Sequence, residues 1–134
     1  MSQNRFTADS SGNPGLLDAE IISQLVFLSE DDPSFIPELI VILTRELKSF
    51  QTKSLLYIEN QSFDEFERMA HKLCGACSNL GAASLEHQLR FLQEQIKTLG
   101  PMEMKIELEK TVQLADASLN ELNKLFPTPK TEQT

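Results

Sequence analysis

Tryptophan is absent from this chain, tyrosine occurs once and histidine only twice. Cysteine also occurs twice, so no disulfide framework holds the protein together. No apolar run approaches the roughly 20 residues of a membrane-spanning helix. The opening Met1-Ser2-Gln3-Asn4-Arg5 lacks the apolar middle of a secretory signal. Basic residues are scarce: 12 Lys and Arg stand against 20 Asp and Glu, for a formal net charge of −8. Nucleic acids and anionic membranes are both held by clustered cations, so both are poor partners for this chain. There is no glycine-rich phosphate loop, no acid–base pair and no set of metal ligands. The expectation is an acidic, soluble protein of the cytoplasm.

What the chain does have is apolar residues at helical spacing. Its 134 residues, 40% hydrophobic, are one domain's worth and enough for a core. Residues 1–15 are polar, end in Ser10-Ser11-Gly12-Asn13-Pro14-Gly15, and read as a disordered arm. Residues 127–134 read as a disordered tail. The domain is expected over residues 16–126, in five helical stretches.

The first stretch carries Leu17, Ile21, Leu25 and Leu28 on one stripe. Asp32 is a good N-cap and Pro33 suits a first turn, so a second helix is expected from there to about Glu59. Its stripe is Ile36, Ile40, Leu43, Leu47 and Phe50. Ser62-Phe63-Asp64-Glu65 reads as a capping box opening a third helix, which Gly81 ends. The fourth has Leu85, Leu89, Leu92, Ile96 and Leu99, and Gly100-Pro101 separates it from the fifth. The fifth has Met104, Leu108, Val112, Ala115, Leu119, Leu122 and Phe126. Four long amphipathic helices with short links predict an all-α fold. The expected form is an antiparallel up-down-up-down four-helix bundle, with the short additional N-terminal helix capping one end.

His71 is the residue that points to a function. At ~100° per residue, Asp64, Glu67, Arg68, Gly75 and Ser78 fall within about 60° of it. Phe66, Met69, Leu73, Ala76, Cys77 and Leu80 fall on the far side, so the core stripe is opposite the imidazole. Gly75 sits one turn beyond His71 on the polar face. A mid-helix glycine costs about 1 kcal/mol relative to alanine. On a polar face that cost suits the approach of another protein's backbone. Ser78, a turn further, keeps the patch small. In the fourth helix Glu86, Arg90, Gln93 and Lys97 form a polar edge able to flank the imidazole.

Cys74-Gly75-Ala76-Cys77 is a C-x-x-C, but it lies mid-helix and outside any βαβ pattern, which argues against redox catalysis. A zinc site on His71, Cys74 and Cys77 lacks a second ligand pair. His87 reads as a surface residue. An exposed imidazole with cleared space around it is a nucleophile and a proton carrier near neutral pH.

The run His71-x-Leu73-x-Gly75-Ala76-x-x-x-Leu80-Gly81-Ala82, followed by Leu85, resembles the histidine-containing phosphotransfer (HPt) domains of multistep phosphorelays. Ala70 and the upstream Asp32-Pro33-Ser34-Phe35-Ile36-Pro37-Glu38-Leu39 look like the family too, and the resemblance covers about Leu16 to Phe126. It implies that His71 is the phosphorylated residue, most often through Nε2. It implies that Gly75 admits a receiver's aspartate site and that Gln93 orients the imidazole.

The departure is Cys74, which stands where the family usually has lysine. Arg68 and Lys72 are then the nearby cations for the phosphoryl oxygens, and a Cys74→Lys change is expected to alter transfer without altering the fold. The implied role is a phosphocarrier with no catalytic machinery of its own. It serves receiver domains and hybrid kinases as a monomer, with Mg²⁺ on the receiver and no cofactor here. The Met start and polar ends suggest a free-standing carrier. The competing reading is a docking module that never carries phosphate.

Overall fold

The computed structural model describes residues 15–128. Among them the chain is all-helical, with α1 (Ala19–Asp31), α2 (Phe35–Glu59), α3 (Phe63–Leu80), α4 (Ala83–Gln95) and α5 (Pro101–Leu125) and no strand. Most of the expected arm and tail, residues 1–14 and 129–134, lies outside the described residues. Gly15, expected in the arm, is fastened instead: its carbonyl accepts from Ser84 Oγ at 2.8 Å.

Local chemistry sets the helix ends. Asp18 caps α1, its Oδ1 accepting from the N–H groups of Glu20 (2.9 Å) and Ile21 (3.1 Å). α2 begins at Phe35, later than expected. The carboxylate of Asp32 closes on Ser34 instead, accepting from its N–H at 3.2 Å and its hydroxyl at 3.0 Å. That local turn takes the bond a cap would make and leaves Pro33 ahead of the helix.

α3 begins where expected, but Ser62 makes no side-chain cap, so the capping box does not form. The Ser62 N–H is used in the α2–α3 turn, donating to the Tyr57 carbonyl at 2.7 Å. α4 stops at Gln95, short of Leu99, because the Gln95 carbonyl takes the N–H of both Thr98 (2.9 Å) and Leu99 (3.1 Å) in a tighter turn. At the head of α5, Glu103 Oε1 accepts from the Gly100 N–H at 2.8 Å.

Gly81 ends α3 as expected, with φ 74°. The next N–H, of Ala82, returns to the Cys77 carbonyl at 2.9 Å, the bond pattern of a left-handed helix stop. The Gly81 carbonyl then accepts from the Asp18 N–H at 2.8 Å, which ties the start of α1 to the α3–α4 link. A Cβ at Gly81 would lie 3.1 Å from Ile21 Cγ2, on a backbone that already disfavours side chains. Gly81→Ala is expected to lower stability by about 1–2 kcal/mol, read as a lower urea midpoint at unchanged slope.

The helices contact one another in a closed circuit, α2 on α3, α3 on α4, α4 on α5 and α5 on α2, with α1 laid on α2 and α3. Inside it Phe50 meets Phe66, ring centroids 5.7 Å apart, among the buried Ile36, Ile40, Leu43, Leu73, Leu89 and Leu122. The α2 stripe is buried as expected. Two other stripes differ from expectation. In α1, Ile22 and Leu25 are buried while Leu28 is 50% exposed, since the helix is anchored at its N-terminal end and its last turn stands clear.

In α5, Leu108, Val112 and Leu119 are only partly covered, and the polar Thr111 and Ser118 are buried. Thr111 is engaged by Gln88 of α4, a buried amide that donates to Thr111 Oγ1 (3.3 Å), Glu107 Oε1 (2.9 Å) and the Glu107 carbonyl (3.2 Å). A satisfied buried amide fixes how two helices meet at little energetic cost. No described helix is long and apolar enough to cross a membrane.

Candidate functional site

His71 lies mid-way along α3, on the face turned from the core. The buried residues of that helix are Phe66, Ala70, Leu73, Cys74, Cys77 and Leu80, and His71 itself is exposed. No hydrogen bond or ion pair among the described residues engages it. It opens into a shallow depression lined by Asp64, Glu67, Arg68 and, across from α4, Gln93. The close packing of α3 against α4 brings that glutamine over. Of the expected flanking residues, Arg68 and Gln93 are thus at the imidazole.

Asp64 and Glu67 line the depression too, and neither was among the expected site residues. Helical geometry had already put both on the His71 face, two turns and one turn before the imidazole, but had given them no role.

Each cation expected near the site pairs with a carboxylate. Lys72 reaches across to Glu46 of α2, 3.8 Å away. Arg68 pairs with Glu65 at 3.6 Å, and Lys97, just past α4, pairs with Glu67 at 3.9 Å. Arg90 pairs with Glu86 one turn before it. All four cationic side chains are more than half exposed, where such pairs are weak and exchange readily. Ser78 is exposed on the His71 face, two turns on.

Cys74 is the correction. Expected beside the phosphoryl group, it is only 5% exposed, and its thiol donates to the Glu86 carbonyl of α4 at 3.7 Å. The helix phase was right, but α4 covers the flank of α3 on which Cys74 sits. Burial pushes the Cys74 thiol above its ordinary range, with Arg90 pulling it partly back and Glu86 adding to the rise. Cys77, at 0% exposure, is pushed much further up, by burial first and by its neighbours Cys74 and Glu86 after. Neither thiol has the thiolate character that redox chemistry requires. Both are free cysteines.

Gly75 is exposed, and a Cβ built on it would meet nothing within 4 Å. The fold therefore gains nothing from glycine at this position. Gly75→Ala is expected to raise stability by about 0.5–1 kcal/mol while slowing any reaction that needs a partner's backbone close to His71. Urea unfolding and transfer rate, measured on one preparation, check both halves.

His87 is exposed, as expected of a surface residue. Among the described residues, no cluster of three or more His, Cys, Asp or Glu could hold a metal ion. The arrangement at His71 supplies an imidazole with neither ring nitrogen engaged among the described residues, an amide beside it, and clear space one helical turn away. Comparison with family models, with curated proteins and with solved structures finds no match for this chain.

Proposed function

We propose that this protein is a phosphocarrier of the HPt type, an intermediate in a phosphorelay rather than an enzyme in its own right. His71 takes a phosphoryl group from the phosphoaspartate of a receiver domain, or from a hybrid kinase, and passes it to another receiver aspartate. One observation carries the reading: an exposed imidazole free of any hydrogen bond, one turn from a mid-helix glycine that the fold itself does not need. A nucleophile that must be reached by another protein's active site needs that access and little else. Mg²⁺ and the cations that stabilise in-line transfer belong to the receiver.

The scaffold in this reading is an up-down-up-down four-helix bundle of α2 to α5, with α1 across one end. The closed circuit of helix contacts supports it. So do the pairings along α2 and α3, where Phe50 meets Phe66 and the earlier Glu46 meets the later Lys72. Along α3 and α4, Cys74 likewise meets Glu86 while the earlier Glu67 meets the later Lys97. Two free thiols suit the reducing cytoplasm, and the carrier is taken to work there as a monomer.

A second reading has a specific observation behind it. Arg68, Lys72, Arg90 and Lys97 each lean on a carboxylate, so none of these four stands unpaired for a phosphoryl group. That would suit a helical docking module that binds signalling partners and never carries phosphate.

Labelling separates the two. Receiver domains charged with radioactive phosphate in Mg²⁺ are mixed with the protein. An acid-labile, base-stable label on this chain is the expected result, because a nitrogen–phosphorus bond has that stability pattern. Its absence with a broad panel of receivers would leave the docking module.

A further inference from the structure

The depression around His71 has the wrong charge for storing phosphate. Two of its five lining residues are carboxylates, Asp64 and Glu67. Asp64 has no hydrogen bond or ion pair among the described residues. The one cation in the lining, Arg68, is drawn to Glu65. Lys72 pairs with Glu46 of α2, Lys97 pairs with Glu67, and Cys74 is a buried neutral thiol.

A phosphoryl group on the imidazole brings about two negative charges into this place. Like charges that share a wet, open depression repel modestly, but the repulsion acts on the phosphorylated state alone.

We propose that the Asp64 and Glu67 carboxylates make His71 a phosphoryl donor: they destabilise phosphohistidine relative to the free imidazole and drive the group onto the receiver. This rests on the phosphocarrier reading and gives it a direction. In the outward step the nitrogen–phosphorus bond breaks and its electron pair returns to the ring nitrogen. An oxygen–phosphorus bond forms to the receiver's aspartate carboxylate, whose negative charge Mg²⁺ and the receiver's own cations offset. The repulsion present before transfer is absent after it. Only this difference between the two states moves the equilibrium.

The two carboxylates act unequally. Asp64→Asn removes repulsion alone. Glu67→Gln removes repulsion and also the carboxylate that Lys97 pairs with, which leaves that cation to the phosphoryl group.

The experiment is the equilibrium distribution of label between His71 and a receiver domain, approached from both sides with the 134-residue chain. One side starts from a receiver charged with acetyl phosphate, the other from this protein charged with phosphoramidate. In the natural protein the label rests mainly on the receiver. Asp64→Asn moves the ratio toward His71 about twofold and Glu67→Gln about threefold or more, and the double variant further than either alone.

Raising the salt from about 0.05 to 1 M shortens the reach of charge to about 3 Å. It shifts the natural protein toward phosphohistidine more than it shifts the double variant. Circular dichroism confirms that each variant is folded, and the salt arm needs no mutation at all. Label that exchanges freely but divides identically in natural and double-variant protein overturns the donor proposal and leaves the carrier reading standing. No exchange between this protein and any receiver overturns both.

Discussion

Replacing His71 with glutamine is expected to abolish the acid-labile phosphoryl label while leaving the domain as stable as before. The two halves have separate causes. His71 is exposed and bonded to nothing among the described residues, so its removal opens no cavity and strands no partner. Surface substitutions of that kind move stability by no more than about 0.5 kcal/mol. Glutamine keeps a polar side chain of similar reach, but its amide nitrogen has no available lone pair and cannot attack phosphorus. The other nucleophiles nearby do not substitute for it. Cys74 and Cys77 are buried, with thiols held protonated by that burial.

His87 is the proper control, because it is an exposed histidine on α4 that lines a different cavity from the depression around His71. His87→Gln should retain full label. Label that survives His71→Gln, or vanishes with His87→Gln, would move the reactive site away from α3. Urea unfolding of both variants alongside the natural protein shows that neither result comes from loss of fold.

Replacing Cys74 with lysine, the residue usual at that position in HPt domains, is expected to destabilise the domain by about 2–3 kcal/mol. The pocket for this side chain lies between α3 and α4, and its present occupant donates to the Glu86 carbonyl. A lysine there is larger by several atoms and brings a charge. Its stem can run along apolar surface toward the edge and keep the ammonium wet, which limits the loss. The edge it reaches is the side of Arg90, so the new cation meets one already there.

Cys74→Ala is the reference, expected to cost about 1 kcal/mol for lost packing alone. The measurement is the urea midpoint of the three proteins, with the transfer rate taken where all are folded. A lysine variant as stable as the natural protein would mean that α4 does not close this flank of α3.

Much of the fold was legible because the chain is regular. The α2 stripe, the Gly81 stop and the Gly100-Pro101 start all follow from rules that act within one turn of helix. Helix ends were less legible wherever a side chain had two local partners to choose from. Asp32 closed on Ser34 instead of capping at Pro33, and the Ser62 side chain left α3 uncapped. Such choices turn on small energy differences between neighbouring hydrogen bonds, which residue type alone does not resolve.

The site divides the same way. His71, Gly75, Arg68 and Ser78 share one face by helical geometry, and they are all exposed there. Cys74 lies at the margin of that face. A helical wheel has a buried side and a wet side, but its two margins are equivalent until a neighbouring helix covers one. That α4 covers the margin holding Cys74, and that α2 draws Lys72 off to Glu46, are consequences of helix packing.

By itself the amino-acid order determined the periods: which residues form helices, where most of those helices break, and that the imidazole of α3 points away from the apolar stripe. Those properties come from interactions a few residues apart, which are readable along the chain. Only the tertiary structure decided which neighbours each helix face meets. It brought Gln93 to the imidazole, buried Cys74, and drew Lys72 off to Glu46. The reason is that contacts between helices depend on the rotation and register of each one, which no single segment carries.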